Sequence, residues 1–394
     1  MSIFLQLIFL LASLLLLAKL AGYVSIRLNQ PSVLGELIVG ILLGPSVLNF
    51  LHLPFFDEGA MLHFVVGLGE IGVLLLMFIA GLELHLDELS NNLKVSALSG
   101  TLGVLMPFGA GWGIGLLLGL SGEGAALLGL VLGATSVSIS AQTLMELKML
   151  KSRVGLSLLG AAVFDDVLVI LFLAVFFAVV SGATNFLGLL LIFGRMLLFF
   201  VLSVGFGIWL LPRIVRMVRN LPVSQSVLSL AVIVLFYYGL AAELIGHMAA
   251  ITGAFLSGLM FARTPEKEII EPRISALAYG FFVPVFFISI GLKTGFSLRA
   301  DTLGLILAIL AVAIVGKWLG AFLGARIGGL TWSESAQLGA GMISRGEVGL
   351  IVANTGLDSG LISTRELSGI IAMVIITTLI TPPLLRWVFQ LPPD

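Results

Sequence analysis

Five ionisable residues stand in stretches too apolar to meet bulk water. Asp165 and Asp166 lie in Gly160-Ala161-Ala162-Val163-Phe164-Asp165-Asp166-Val167, Lys317 in Ile314-Val315-Gly316-Lys317-Trp318-Leu319-Gly320, and Arg345 with Glu347 in Ser344-Arg345-Gly346-Glu347-Val348. An ionised group at mid-bilayer costs about 2.5–3.5 kcal/mol on insertion scales, so each of these calls for a partner or a function. Adjacent helical residues point about 100° apart, so Asp165 and Asp166 cannot reach one partner from the same direction. One acid is expected to face a neighbouring helix and the other a pathway. Lys317 is too deep to snorkel, and a carboxylate is its natural partner. A static ion pair holding two helices together accounts for Lys317 and one acid, but not for the second. Partial dehydration disfavours the charged forms of both residue types, which makes proton exchange part of their chemistry. A site that holds either a cation on carboxylate oxygens or protons on the same groups, but not both, is all that antiport requires.

Hydroxyls stand beside these charges. In Gly133-Ala134-Thr135-Ser136-Val137-Ser138-Ile139-Ser140, the side chains of Thr135, Ser136 and Ser138 could complete an all-oxygen shell with the two acids, suited to a hard cation such as sodium. Arg345 and Glu347 are two residues apart and would diverge on a regular helix. At a helix break they could compensate the partial charges of the half-helix ends, a structural role preferred here over direct ion binding. Glu36 and Glu70 could face the bundle or a vestibule, whereas Glu83 and Glu243 sit near the ends of apolar runs and read as interfacial.

The elements that must position these groups are membrane helices. Of 394 residues, 59% are hydrophobic and only 10% charged, against roughly 25% charged in a soluble domain. A net charge of -1 gives no reason to expect nucleic acid as a partner. Cysteine is absent and the four histidines are scattered, so no thiolate nucleophile or cysteine-ligated metal exists, and neither an enzyme nor a bound cofactor is expected. Apolar runs fall at 3–26, 32–50, 61–84, 93–118, 124–147, 153–180, 184–211, 226–244, 247–263, 274–293, 302–328, 333–356 and 366–390, thirteen spans in all. The first reads as a retained helix, because its apolar stretch is longer than a signal-peptide core and no basic residue precedes it. The polar stretch at 262–273 reads as the longest loop, and no soluble domain is expected beside the spans. Thirteen Lys and Arg, Arg27 and Lys94 among them, fall on one side, against Arg195, Lys293, Arg299 and Arg365 on the other. Cytoplasmic loops hold the excess, so the N-terminus is expected outside and the C-terminus inside.

Spans five and twelve are interrupted at mid-depth by the Thr-Ser and Arg-Gly-Glu runs, and they cross in opposite directions. This suggests inverted repeats, spans four to six matching eleven to thirteen, each with a broken crossing helix in the middle; such breaks point to a transporter's binding site. The 47 glycines suit close helix packing. A channel would want a continuous pore lined by rings of polar groups, and unlike helices offer none. An organic-anion symporter would not need two acids and a lysine at its centre.

The run Arg27-Leu28-Asn29-Gln30-Pro31 with Gly35-Glu36 and Gly44-Pro45, the Ala134-Thr135-Ser136-Val137 break, Gly-Ala-Ala-Val-Phe-Asp-Asp, Gly316-Lys317 and Arg345-Gly346-Glu347-Val348-Gly349-Leu350-Ile351 resemble bacterial cation:proton antiporters of the NapA type, in order and over essentially the whole chain. The resemblance implies an all-α polytopic membrane protein with the antiporter fold, a homodimer of thirteen-span protomers in the bacterial inner membrane. It implies scaffold segments 1–84 and 226–293, core segments 93–180 and 302–390, and a linker helix at 184–219, working as an elevator. Asp166 would be the main cation and proton carrier, and Asp165 the acid paired with Lys317, as in the electrogenic branch. Sodium or lithium is the expected cation. The alternative is a potassium/proton antiporter; Kef-type potassium efflux systems are similar, but typically carry Gln-Asp at this position and a nucleotide-binding domain.

Overall fold

The computed structural model describes residues 2–83, 92–180, 186–293 and 303–390, and every regular element among them is helical. In chain order these are α1 (Ile3–Arg27), α2 (Ser32–Leu43), α3 (Glu58–Leu82), α4 (Leu93–Leu117), α5 (Gly122–Gly133), α6 (Val137–Glu146) and α7 (Arg153–Val180). Then α8 (Phe186–Gly205) runs through a π-helical turn into α9 (Leu211–Arg219), followed by α10 (Ser226–Leu244) and α11 (Ala250–Phe261). A second π-helical turn joins α12 (Lys267–Leu277) to α13 (Val283–Lys293), and the chain closes with α14 (Leu303–Gly328), α15 (Trp332–Gly341), α16 (Glu347–Asp358) and α17 (Thr364–Gln390). Among the described residues, ten helices are long and apolar enough to cross a membrane, counting Gly122–Glu146, Leu190–Arg219 and Lys267–Lys293 as one each; Ser32–Leu43, Ala250–Phe261 and Val348–Leu357 are shorter apolar helices. The outward surface is apolar, with Leu117, Trp209, Tyr237 and Leu244 turned out, which is stable only against lipid.

Hydropathy misreads one segment. The charged stretch at 262–273, expected as a loop, is mostly α12, because Ile270 and Ile274 one turn apart are both fully buried and hold an otherwise polar helix against the bundle. The segment boundaries expected at 84, 184 and 302 lie outside the described residues.

Two packing groups can be traced, joined by a shared apolar interior in which Phe78 of α3 and Phe255 of α11 belong to one cluster with Ile139 of α6 and Leu158 of α7. In one, α4 packs on α5, α7 and α14, α14 on α15 and α17, and α16 on α5 and α17. Leu127, Ile309, Ala353 and Met373 form part of its apolar interior. In the other, α2 packs on α1 and α13, and α3 on α11 and α13, around Leu10, Leu14, Val65 and Ile288. Helix α8 touches α7 from the first group and α11 from the second, together with α10, which packs on α11.

The α4–α14 contact is built on a glycine stripe. Gly316, Gly320, Gly324 and Gly328 recur every four residues, and a Cβ at Gly320 or Gly324 would fall 2.3 Å from the Leu102 carbonyl oxygen or 2.4 Å from that of Leu98. Backbone contact along the stripe fixes the rotation of α14, and with it the direction in which Lys317, next to Gly316, leaves the helix.

Candidate functional site

The two interrupted helices meet at their breaks. Extended backbone at Ala134–Ser136 separates α5 from α6, and the Ser136 N–H donates to the Ser344 carbonyl at 2.9 Å in the break between α15 and α16. The Ser344 hydroxyl returns the bond to the Ser136 carbonyl at 2.6 Å, and the Ser140 hydroxyl donates to the Gly341 carbonyl at 2.5 Å. Gly346 presses on this junction: a Cβ there would lie 2.6 Å from Ser136 Cβ.

Breaking a helix leaves carbonyls without partners and concentrates negative partial charge at its C-terminal end. At the end of α5 these carbonyls are met by the two buried cations. Lys317, fully buried, donates to the Gly133 carbonyl at 2.6 Å. Arg345, 1% exposed, donates to the Ala134 carbonyl at 2.7 Å and to the Ala313 carbonyl on α14 at 3.0 Å. Arg345 thus compensates the opposite half-helix, not its own. It immediately precedes the positive N-terminal end of α16, and the attractive end lies across the junction. Thr378 of α17 donates to the Arg345 carbonyl at 2.9 Å and holds the break from behind. Glu347 opens α16; its side chain lies outside the described residues.

The adjacent acids diverge as helical geometry requires. Asp165, 1% exposed, pairs through Oδ1 with Lys317, and its Oδ2 has no hydrogen-bond partner among the described residues. Asp166 is half-buried and accepts a 3.1 Å hydrogen bond on Oδ2 from the Thr252 hydroxyl of α11. It lines a small cavity with Met77, Val137, Ala162, Ile251 and Phe255, so that one face belongs to α7 and the opposite one to α3 and α11. Thr135 carries a buried hydroxyl without a hydrogen-bond partner among the described residues, and the Ser136 and Ser138 hydroxyls bond to each other at 3.2 Å. These three gather at the α5–α6 break; from this segment it is Val137 that lines the Asp166 cavity.

A second cavity, about 400 Å³, opens at the end of α6 and is lined by Lys19, Ser32, Glu36, Glu83, Gln142 and Glu146 among others. Glu146 accepts from the Ser32 N–H at 2.7 Å and the Ser32 hydroxyl at 2.6 Å, and so caps the start of α2 from α6. Glu83, read as interfacial, shares this vestibule with the buried Glu36, whereas Glu70 is exposed and lies 3.9 Å from Lys293.

Residues 12–391 match the family described as sodium/hydrogen exchanger, transmembrane. The chain belongs to that family. The Na(+)/H(+)-K(+) antiporter GerN of Bacillus cereus is 43% identical over 381 residues, covering 97% of this chain and 96% of the relative. The high-affinity Na(+)/H(+) antiporter NhaS3 of Synechocystis is 35% identical, covering 95% and 87%. Among solved structures, the sodium proton antiporter MjNhaP1 of Methanocaldococcus jannaschii aligns with a TM-score of 0.68 over 98% of this chain and 97% of that one, at 16% identity, which shows a common fold. This member of the exchanger family is therefore a polytopic cation:proton antiporter by descent. The sequence reading missed Thr252 and Thr378, single threonines in apolar helices that carry no signal of their own, and the Glu146–Ser32 cap, whose members look interfacial.

Proposed function

We propose that this chain exchanges sodium or lithium for protons across a bacterial inner membrane, with cation and protons competing for the Asp165–Asp166 pair. The observation that carries this is the unequal setting of two adjacent acids: Asp165 is tied to Lys317, and Asp166 faces a cavity between the two packing groups. With Lys317 protonated and both acids ionised the centre holds one net negative charge. A cation taken by both carboxylates displaces the Lys317 proton, and the return leg carries protons on Asp166 and Lys317. Two protons per cation make the exchange electrogenic. Thr135, Ser136 and Ser138 supply further oxygens at the break, while Arg345 and Glu347 stabilise it.

The packing groups support an elevator, in which α4–α7 with α14–α17 slide against α1–α3 with α10–α13, α8 and α9 linking them. In this reading the chain forms a homodimer through the second group, with the N-terminus outside and the C-terminus in the cytoplasm. The test uses everted vesicles acidified inside. Adding sodium or lithium alkalinises the lumen, and Asp166→Asn abolishes the response; an unchanged Asp166→Asn protein overturns the assignment. GerN's name includes potassium, so potassium forms the third arm, and a response to potassium alone would replace sodium as the substrate.

A further inference from the structure

An exchanger must forbid one movement: its carrier must not cross while holding neither cation nor proton, or the cation gradient drains without exchange. We infer that Thr252 enforces this rule by tying the unloaded Asp166 carboxylate to the part of the protein that stays still. This rests on the proposal that Asp166 is the carrier.

Three observations converge. First, the hydrogen bond from Thr252 Oγ1 to Asp166 Oδ2, 3.1 Å, joins α11 to α7, elements of different packing groups, so it cannot survive a displacement of one group against the other. Second, Thr252 is 3% exposed and stands in the first turn of α11, whose N–H ends add positive partial charge on the side facing Asp166. Third, that turn is held at depth. Gly253 packs so closely on α10 that a Cβ would fall 2.1 Å from the Tyr238 carbonyl oxygen, which places the end of the first turn of α11 six residues, about 9 Å, inside the end of α10. A threonine there meets a carrier carboxylate and not the lipid headgroups.

The bond is selective by charge. A hydroxyl donated to a carboxylate is a charge-assisted bond, strong enough to favour the tied arrangement about ten- to hundredfold. A cation on the same oxygen competes for its lone pairs, and a proton removes its charge. Either cargo weakens the tie and frees the carrier to move. Thr252 is thus a positioning residue that acts through Asp166.

The test uses the full chain in proteoliposomes loaded with radioactive sodium and diluted into sodium-free alkaline medium, with the membrane potential clamped. Sodium efflux and proton uptake are followed together, and wild-type exchange into acidic medium is measured first. If the wild type fails to exchange there, the proposed function falls; the outcomes below presume that it exchanges. Thr252→Val is expected to release sodium into alkaline medium at least tenfold faster than wild type without matching proton uptake, and Thr252→Ser to behave as wild type. Thr252→Ala gives the same readout should the valine variant not fold. Efflux from both hydroxyl-lacking variants equal to wild type, or a serine variant that leaks as they do, overturns the inference, because a merely structural role would lower transport and not uncouple it.

Discussion

Replacing Lys317 by methionine tests whether the buried charges form one coupled unit. The Lys317 ammonium pairs with Asp165 and also donates to the Gly133 carbonyl. Lys317→Met removes both contacts at once, leaves the Asp165 charge without its ion-pair partner beside an Oδ2 that already lacks one, and orphans the carbonyl at the end of α5. Breaking a buried pair from one side costs about 3–5 kcal/mol, and an unsatisfied buried carbonyl adds about 1–3 kcal/mol. Lys317→Met is therefore expected to destabilise the protein by at least about 4 kcal/mol. Asp165→Asn keeps an acceptor oxygen for the lysine and is expected to cost less. The informative protein is the double variant Lys317→Met/Asp165→Asn, which removes both charges and should be more stable than Lys317→Met alone by about 2 kcal/mol or more. Reversible unfolding in mixed micelles, followed by tryptophan fluorescence, gives all corners of the cycle. A double variant as unstable as the sum of the singles would refute the reasoning, since it would mean that Lys317 and Asp165 do not feel each other.

Gly346→Ala places a methyl group 2.6 Å from Ser136 Cβ and must push the two helix breaks apart; cation-dependent exchange is expected to fall at least tenfold in vesicles while the protein still purifies as a folded species. Glu146→Ala releases the N–H and hydroxyl of Ser32 from their charged acceptor, which is expected to cost about 1.5–3 kcal/mol in the same unfolding assay, with Ser32→Ala less costly and the pair not additive.

The sequence made the costly features legible and hid the cheap ones. Charges and hydroxyl runs at mid-membrane stand out because lipid penalises them, so Asp165, Asp166, Lys317, Arg345 and the Thr135–Ser138 run are all legible in the sequence. Apolar runs gave the helices for the same reason. A threonine carries almost no penalty inside a helix, because its hydroxyl can bond the preceding turn, and so Thr252 and Thr378 read as packing residues. The α12 segment failed in the opposite sense: its charges signalled water, but the two isoleucines one turn apart decided its conformation. The direction of Arg345 was open for a further reason. Sequence shows that a cation stands at a break, but not which of two half-helix ends comes within its reach.

The arrangement of donors separates contacts kept within one packing group from the one that reaches across to the other. Lys317 and Arg345 both give hydrogen bonds to backbone carbonyls at the end of α5, groups that never change charge, so neither cation depends on the cargo for all of its partners. Asp165 is held by one of these cations and stays inside its own packing group. Asp166 instead accepts a hydrogen bond from a side chain of the other group, the hydroxyl of Thr252. A hydroxyl is a weak enough partner to be displaced by an alkali cation or made redundant by a proton, whereas a lysine or arginine in its place would compete with the cation by full charge. An acid meant to bind and release cargo at the seam between two moving bodies needs such a partner: strong enough to hold an unloaded carboxylate, and weak enough to let go of a loaded one.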